Sequence, residues 1–408
     1  MTEHTNTPEL RFPEFKDEWK LQKLGNLAQF SKGKSLSKKD LNINGKPCIL
    51  YGELYTKYGA ILNKVYSKTS TQNDSLVFSK RNQILIPSSG ETDIDIATAT
   101  AIDTDVKIAI GGDLNIITPI NSDGRFISLY INGKGKYNLA KYAQGKSVVH
   151  LYNSDIKKLN FYLPTNMAEQ KKVGDFFSKL DCQIELEEKK LELLEQQKKG
   201  YIQKIFSQEL RFKDENGNNY PNWEMKKLGN IANIVGGGTP STKKSEYWDG
   251  DINWFSPVEI GDKEFVSTSQ RRITEKGLEK SSAKVLPIGT VLFTSRAGIG
   301  KTAILSKEAT TNQGFQSIVP KENDLDSYFL YSMTSILKRN AEKVGAGSTF
   351  SEVSRKQMEQ IKLLIPILKE QKQIGRLFQI INRKINKQIH KIELLKQRKK
   401  GLLQKMFV

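Results

Sequence analysis

The chain has 408 residues and contains the same sequence frame twice, which constrains its fold more than any other feature. A tryptophan, Trp19 or Trp223, closes a short lead-in in each copy. Other repeated stretches are Glu9-Leu10-Arg11-Phe12 with Glu209-Leu210-Arg211-Phe212, Lys23-Leu24-Gly25-Asn26 with Lys227-Leu228-Gly229-Asn230, Glu169-Gln170-Lys171 with Glu370-Gln371-Lys372, and Lys198-Lys199-Gly200 with Lys399-Lys400-Gly401. The frame predicts a tandem repeat of lead-ins (1–19, 208–223), mixed segments (20–163, 224–365) and long helices (164–207, 366–408).

Both charged C-terminal segments of the repeats have apolar residues spaced alternately by four and three. This 3.5-residue period predicts a coiled-coil seam in the same register in both copies, rather than two unrelated amphipathic helices. Residues 165–207 hold eight basic and eight acidic residues, whereas 367–408 hold twelve basic and two acidic. The predicted seam residues are Val173, Phe177, Leu180, Ile184, Leu191, Leu194, Ile374, Phe378, Ile381, Ile385, Ile392 and Leu395.

The two segments between the frames predict α+β domains with a twisted or barrel-like sheet. Residues 47–51, 83–87 and 290–293 are short apolar runs typical of strands, and glycines punctuate them. Residues 327–343 predict a helix. The frames match closely and the interiors weakly, which favours two reading domains for two different targets over uniform drift.

The residues needed for common catalytic sites are scarce in this chain. His4, His150 and His390 are far apart, which argues against a histidine metal site or a Ser-His-Asp triad. No Pro-Pro dipeptide occurs, so an amino-methyltransferase loop is not expected. Residues 295–302 resemble a phosphate-binding loop, but a strand-like run follows where a helix is required. We therefore expect a non-catalytic chain that binds no metal or cofactor.

The net charge of +19 favours a polyanionic partner, most often nucleic acid. Cys48 and Cys182 form no paired motif, so neither a disulfide framework nor a zinc site is expected. No apolar run is long enough to span a bilayer, and the polar residues at the start of the sequence lack the apolar core of a secretion signal. These features predict a cytoplasmic protein without a membrane partner.

The tandem plan resembles the specificity subunits of Type I restriction-modification systems over nearly the whole chain. Two features carry the resemblance. One is the duplicated lead-in with its Trp and its Lys-Leu-Gly-Asn stretch. The other is the duplicated succession of a proline, Glu-Gln-Lys and a heptad helix. Residues 236–241 and 311–315 are also similar to target-recognition domains of that family. The first domain departs from this pattern because residues 31–35 replace the glycine run.

The resemblance implies that each variable segment is a target-recognition domain and that the two helices pack as an antiparallel coiled coil. It further implies binding to double-stranded DNA, two methyltransferase subunits and two restriction and translocase subunits. S-adenosylmethionine, ATP and magnesium would then belong to those partners, and none would be bound by this chain.

A helix of about 40 residues spans roughly 60 Å at 1.5 Å per residue. Two domains on such a rod would meet DNA about one helical turn, roughly 34 Å, apart. The helices are therefore expected to act as a ruler that fixes the spacer of a bipartite target.

Each domain is expected to position itself on phosphates with Lys and Arg and to read base edges with polar side chains. The mixed segments carry net charges of +8 (16–164) and +3 (213–366). The predicted contact residues are Lys32, Lys34, Ser35, Lys38, Tyr51, Ser88, Ser89 and Glu91 in the first domain, and Thr239, Ser241, Lys243, Tyr247, Arg296, Lys301, Ser348 and Thr349 in the second.

Two other interpretations remain open at this point. A basic coiled-coil adaptor could bind RNA or acidic protein without reading a sequence, and it would bind unrelated duplexes with similar affinity. A nuclease or methylase with an unfamiliar site would show activity as the purified chain alone.

Overall fold

A computed structural model describes residues 6–34, 36–72, 75–296, 298–345 and 352–408. The chain divides into two compact units. Unit 1 comprises residues 1–190 and 388–408, and unit 2 comprises residues 191–387. Each unit thus contains one mixed domain together with a part of both long helices.

Unit 1 is built on two four-stranded sheets. One sheet has the order β2-β10-β6-β8 and the other β4-β3-β9-β5, and two-stranded ladders join β1 to β12 and β11 to β7. The strands are β1 Lys20–Lys23, β2 Ala28–Lys32, β3 Leu41–Ile49, β4 Ser67–Thr69, β5 Val77–Phe78, β6 Ile84–Pro87, β7 Ser89–Gly90, β8 Thr100–Ala101, β9 Ala109–Ile110, β10 Leu114–Pro119, β11 Val149–His150 and β12 Asn160–Leu163. The helices are α1 Leu24–Leu27, α2 Tyr51–Thr56, α3 Asp93–Ile96, α4 Gly124–Asn132, α5 Lys136–Ala140, α6 Asn153–Ile156 and the long α7 Met167–Phe206, with a 3₁₀ turn at Lys38–Asp40.

Unit 2 is built on a five-stranded sheet of order β14-β21-β18-β19-β16 and a three-stranded sheet of order β17-β15-β20. A two-stranded ladder joins β13 to β22. The strands are β13 Glu224–Lys227, β14 Ala232–Gly236, β15 Trp248–Phe255, β16 Phe265–Val266, β17 Arg271–Ile273, β18 Val291–Phe293, β19 Thr302–Leu305, β20 Thr310–Thr311, β21 Gln316–Pro320 and β22 Lys362–Ile365. The helices are α8 Leu228–Ile231, α9 Glu275–Glu279, α10 Ser327–Ser332, α11 Thr334–Gly345, α12 Arg355–Gln360 and the long α13 Leu368–Lys405, with 3₁₀ turns at Ser245–Tyr247 and Pro257–Glu259.

The repeated lead-in is held by a buried carboxylate at the start of each long helix. In unit 1, Arg11 donates to both carboxylate oxygens of Glu169 at 2.7 and 2.8 Å, and Trp19 Nε1 donates to it at 3.2 Å. In unit 2, Arg211 donates to Glu370 at 3.2 and 2.7 Å. Trp223 Nε1 donates to Glu370 at 3.2 Å. A buried carboxylate is stable only when it is paired and hydrogen-bonded, so the repeated Arg, Trp and Glu are parts of one network.

The glutamine of the repeated Glu-Gln-Lys stretch anchors the helix to the domain. Gln170 Oε1 accepts from the backbone N–H of Asp123, the N-cap of α4, at 2.9 Å. Gln371 Oε1 accepts from Asp326, the N-cap of α10, also at 2.9 Å. Each amide group then donates to the carbonyl of the preceding proline, Pro164 or Pro366. The repeated sequence therefore encodes a repeated junction between sheet domain and helix.

The long helices pack in antiparallel fashion within each unit. In unit 1, Asp181 and Glu188 of α7 form ion pairs with Lys399 and Lys396 of α13 at 2.5 and 2.6 Å. Residue numbers therefore increase along one helix as they decrease along the other. The seam positions at 173, 177, 180 and 184 are buried in the core of unit 1. Those at 374, 378, 381 and 385 are buried in the core of unit 2, where the residues at 191 and 194 pack against them.

A phenylalanine at the C-terminal end of each long helix packs into the core of one unit. Phe407, at the end of the chain, is 1% exposed and packs its ring against Trp19, Phe126 and Phe177 at centroid distances of 5.0–6.4 Å. The matching Phe206 in unit 2 packs against Trp223, Phe329 and Phe378 at 5.9–6.3 Å. Backbone bonds of 2.9 Å from Leu10 to Lys405 and from Leu210 to Lys204 place each lead-in beside the end of a helix.

The predicted fold class is confirmed: a mixed α/β domain followed by a long helix occurs twice. The helix expected over 327–343 is two helices, α10 and α11, because Met333 interrupts the helical backbone. The strand expected over 47–51 belongs to β3, which begins at Leu41 and ends at Ile49, and α2 begins at Tyr51. Among the described residues, no helix is long and apolar enough to cross a membrane.

Candidate nucleic-acid interface

Four loops of unit 1 meet at one edge of its sheets, and we call them the loop face of unit 1. They are residues 33–38, 50–53, 88–91 and 111–113, with position 35 outside the described residues. Backbone bonds join them: Lys34 N–H donates to Ile110 at 3.3 Å, Gly111 N–H to Ile49 at 2.9 Å, and Ser88 N–H to Asp113 at 2.9 Å. These main-chain bonds fix the loops relative to one another.

The same arrangement recurs in unit 2, where the loop face comprises residues 236–241, 256–259, 295–296 and 312–314. Gly238 N–H donates to Thr311 at 2.8 Å, Asn312 N–H to Phe255 at 3.0 Å, and Ser295 N–H to Gly314 at 2.8 Å. These bonds correspond loop by loop to those of unit 1. The two loop faces are therefore equivalent surfaces with different side chains.

One glycine in each loop face is required for this close approach. A Cβ placed on Gly33 would lie 1.9 Å from the carbonyl oxygen of Gly111. A Cβ placed on Gly237 would lie 1.9 Å from the carbonyl oxygen of Asn312. No side chain fits at that distance, so close packing requires a glycine at both positions. The surrounding sequences, Ala28–Ser37 and Ala232–Ser241, otherwise differ.

The loop face of unit 1 surrounds a cavity of about 690 Å³. Its lining combines cations, carboxylates and tyrosines, namely Lys38, Lys57, Glu91, Asp113, Tyr51 and Tyr55 among others. Burial raises the pKa of Tyr55, and the nearby Glu91 and Asp95 carboxylates add to this effect. Tyr55 therefore stays a neutral hydroxyl that can donate and accept hydrogen bonds.

Most predicted contact residues of the first domain lie on the loop face of unit 1. Those on the loop face are Lys34, Lys38, Tyr51, Ser88, Ser89 and Glu91. Ser88 is buried, and its N–H is used by Asp113, so its position does not suit a base contact. Lys32 ends β2 and has its Nζ 5.7 Å from the ring centre of Tyr152. Ser35 lies outside the described residues.

In the second domain, Thr239, Ser241 and Arg296 lie on the loop face of unit 2, and Lys243 is exposed just beyond it. Tyr247 is 6% exposed and belongs to an apolar cluster with two tryptophans, so its ring has a packing role rather than the predicted contact role. Aromatic residues in such segments are as suited to a core as to a base contact, and the sequence does not separate the two.

The remaining predictions for the second domain concern the phosphate-loop-like segment and the loop after α11. Lys301 is exposed immediately before β19, Thr302–Leu305, which is the strand expected there in place of a helix. Without a helix, the segment lacks the N-terminal N–H groups that hold a phosphate. Ser348 and Thr349 lie outside the described residues.

Sequence reasoning missed two side chains on the loop face of unit 2. Gln313 is exposed, and its Oε1 accepts from the Thr239 hydroxyl, which fixes the orientation of the amide. Val258 is 80% exposed on the 3₁₀ turn Pro257–Glu259. Both positions could have been found by aligning the two repeats, 110–114 with 311–315 and 50–53 with 256–259. In these alignments Gln313 stands where unit 1 has Gly112, and Val258 stands where unit 1 has Gly52.

Comparison with known families decides the interpretation of this duplicated architecture. The sequence profile of the Type I restriction modification DNA specificity domain matches residues 16–196 and 220–396. The chain belongs to this family. The match covers both sheet domains and most of both long helices, so family membership applies to each repeat.

Individual relatives agree with this assignment. The chain is 37% identical over 174 residues to the Type I restriction enzyme MjaIX specificity subunit of Methanocaldococcus jannaschii, covering 42% of this chain and 40% of that protein. It is 35% identical over 159 residues to the EcoR124I/EcoR124II specificity subunit of Escherichia coli, covering 37% and 39%. The matched regions thus span less than half the length of these curated relatives.

The fold itself has a solved counterpart. The crystal structure of the Type-I restriction-modification system S subunit from M. genitalium aligns with a TM-score of 0.64 at 17% identity. The alignment covers 98% of this chain and 99% of that chain. The whole tandem arrangement is therefore a known fold.

Proposed function

We propose that this chain is the specificity subunit of a Type I restriction-modification complex and reads a bipartite DNA sequence. The observation that carries the proposal is the pair of equivalent loop faces whose main chains match and whose side chains differ. One half-site would be read by each loop face. Donors such as the exposed ammonium of Lys34 and the guanidinium of the half-buried Arg296 suit phosphate oxygens and guanine, and oriented amides such as that of Gln313 suit adenine.

Charge supports DNA as the partner. The chain carries a net charge of +19, and the C-terminal helix segment 367–408 holds twelve basic and two acidic residues. Such a surplus strengthens binding to a duplex through counterion release and makes it depend on salt. The sequence-reading part of the affinity would come from the loop faces, which differ between the two units.

Family membership supports the partners that we propose for this chain. We infer that two methyltransferase subunits and two restriction and translocase subunits assemble on this chain, which itself is not catalytic. S-adenosylmethionine would bind the methyltransferase subunits, and ATP and magnesium would bind the restriction subunits. A duplicated frame supports partners that bind in two copies, because each unit offers them the same junction of lead-in, sheet ladder and helix. With DNA as the proposed ligand, we also propose that the protein acts in the cytoplasm.

The first experiment maps methylation. The chain is expressed with its own methyltransferase subunit in a host without DNA methylation, and modified adenines are located genome-wide by single-molecule sequencing. We expect one bipartite motif that appears only when this chain is present. Replacing residues 20–163 by those of a relative should change one half-site and leave the other half-site intact.

The second candidate is a basic coiled-coil adaptor that binds nucleic acid without reading it. The high net charge favours it, and the fixed, differing loop faces argue against it. Absence of a motif although both subunits are folded and associated would contradict the specificity role. Equal affinity for unrelated duplexes would then support the adaptor.

A further inference from the structure

The loop face of unit 2 presents an aliphatic side chain that contributes nothing to the packing of its own unit. Val258 is 80% exposed, whereas the following Ile260 is 2% exposed. Leaving a valine in water forgoes the burial that makes apolar residues favourable in a fold. Isolated exposed valines are common on protein surfaces, so exposure alone does not indicate a ligand.

The backbone around Val258 is held firmly in place. Glu259 accepts from the N–H of Ser256 at 2.8 Å, from its hydroxyl at 2.7 Å and from the N–H of Gln270 at 2.7 Å. These bonds close a capping box around the single turn and tie it to a neighbouring segment. The turn therefore presents Val258 in a fixed position, as a surface that recognises a ligand must.

Polar side chains lie beside this turn on the same loop face. A Cβ placed on Gly314 would lie 2.9 Å from Pro257 Cγ and 3.6 Å from Arg296 Nε, so the turn, the guanidinium and the loop 312–314 are in contact range. Gln313 adds an amide oriented by Thr239. Arg296 is half-buried beside this loop, and among the described residues its guanidinium has neither an ion pair nor a hydrogen bond within the unit, so its donors can bond to a ligand.

The matching turn of unit 1 has no such side chain. Leu50 and Glu53 form the same N–H to carboxylate bond, at 3.1 Å, but Gly52 occupies the place of Val258. The turn is thus a common support, and the residue at its tip differs between the two loop faces. That is the behaviour expected of a residue that sets what each face reads.

We propose that Val258 reads a thymine by contact with its C5-methyl group in the half-site bound by unit 2. This inference rests on the proposed function and assigns a residue to the reading of one base pair. Among base edges in the major groove, only thymine carries an apolar group, and aliphatic side chains recognise it by contact. An aliphatic tip beside an available guanidinium and an oriented amide is suited to this edge rather than to a phosphate.

The test uses the complex of this chain with its methyltransferase subunit and duplexes carrying the mapped motif. Each thymine of the half-site that persists when residues 20–163 are replaced is changed to deoxyuridine, which removes only the C5-methyl group. We expect one such change to weaken binding by about fourfold, the value of one buried methyl-sized group. Val258→Ala should weaken binding to the thymine duplex similarly and abolish the effect of deoxyuridine at that position.

A matched control is available in the same unit. Ile288 is 66% exposed, lies between Leu286 and Gly289 and belongs to none of the four loops. Ile288→Ala should leave both the motif and the deoxyuridine effect unchanged. Equal sensitivity of wild type and Val258→Ala to deoxyuridine at every position would overturn the proposal. So would a Val258→Ala defect in subunit assembly with unaltered base preference, which would assign the valine to a protein contact.

The outcomes separate this inference from the function on which it depends. If the wild-type complex has no motif, the proposed function fails before Val258 is tested. If the motif exists and Val258→Ala leaves it unchanged at every base pair, only the thymine assignment fails.

Discussion

The two units use the same main chain to present different side chains. Their frames agree down to single hydrogen bonds: a buried glutamate, Glu169 or Glu370, holds an arginine and a tryptophan of the lead-in in each. Their loop faces share Gly33 and Gly237 as close-approach points, but the side chains around them differ. The duplicated residues therefore preserve the support, while the variable residues differ on the surface that each unit presents.

The first test changes the length of the helices and leaves both loop faces intact. One heptad is inserted into both long helices at matched positions, after Lys190 and after Lys387, which keeps the seam in register. If the helices set the spacer, methylation should move to a motif with the same half-sites and a longer spacer. Binding at the original spacing should fall to its non-specific level, on the order of 10³-fold weaker.

The readout for the heptad insertion is the methylation map, with binding assays on duplexes of both spacings. Because the half-sites belong to untouched loop faces, they serve as the internal control. A map that retains the original spacer would contradict the ruler and leave the half-site assignment standing.

The second test compares the two helix ends. Phe407 is 1% exposed within an aromatic cluster, whereas Phe206 is partly exposed in the matching place. Phe407→Ala should lower the free energy of unfolding by about 4 kcal/mol, as for a fully buried phenylalanine. Phe206→Ala should cost about half as much. Urea unfolding followed by tryptophan fluorescence measures both, since Trp19 and Trp223 touch the two rings; equal losses would contradict the difference in burial.

The frame could be predicted from the sequence, because it depends on repetition and period. The duplicated Trp, Glu-Gln-Lys and heptad positions mark local features, and the helices α7 and α13 begin within three residues of the expected starts at 164 and 366. The apolar heptad positions occur in the same register in both copies, which supports the coiled coil more strongly than one amphipathic helix would. The tandem fold class followed from the same evidence.

The loop faces could be predicted only in part, because their geometry depends on contacts between segments far apart in the chain. Ser88 and Tyr247 were expected to contact DNA, but both are buried. Val258 and Gln313 were overlooked, because a valine in a loop carries no signal until its exposure is known. Hydrophobic periodicity identifies elements, and it does not say which loops meet at one edge of a sheet.

The third test removes the carboxylate that both frames share. The side chains of Glu169 and Glu370 are 2% and 0% exposed, and each pairs with an arginine that is 13% or 20% exposed. Glu169→Ala or Glu370→Ala leaves a largely buried guanidinium and an indole N–H without their acceptor. We expect each to lower the free energy of unfolding by about 3 kcal/mol.

The glutamine variants provide the control for the third test. Glu169→Gln and Glu370→Gln keep one acceptor oxygen and nearly the same volume, so they should recover part of the loss. Urea unfolding of all four variants gives the comparison. A loss below about 1 kcal/mol in one unit alone would show that the two copies of the network are not energetically equivalent.

The smallest effect on stability is expected at a lysine that has an ion pair between the long helices in one unit and not in the other. In unit 1, Lys399 and Asp181 form an ion pair of 2.5 Å with side chains 19% and 12% exposed. At the matching places in unit 2, Lys198 and Asn382 both line a cavity of about 680 Å³, and no ion pair of Lys198 is found among the described residues. Burial lowers the pKa of Lys198 from its usual value of 10.5. The carboxylates of Glu264 and Glu195 oppose this decrease but do not cancel it, so the charge of Lys198 is less well compensated than that of Lys399, which has an ion pair.

Lysine-to-methionine variants separate these two situations. Lys399→Met strands the Asp181 carboxylate and should cost about 2 kcal/mol, whereas Lys198→Met should leave stability unchanged or raise it by up to about 1 kcal/mol. Because the folded pKa of Lys198 lies below the unfolded one, the unfolded chain binds more protons between the two values. Wild-type stability should then rise with pH in that interval, and Lys198→Met should remove this rise. Unfolding curves in urea from pH 8 to 11 measure this rise, and an unchanged pH slope in Lys198→Met would mean that another group causes it.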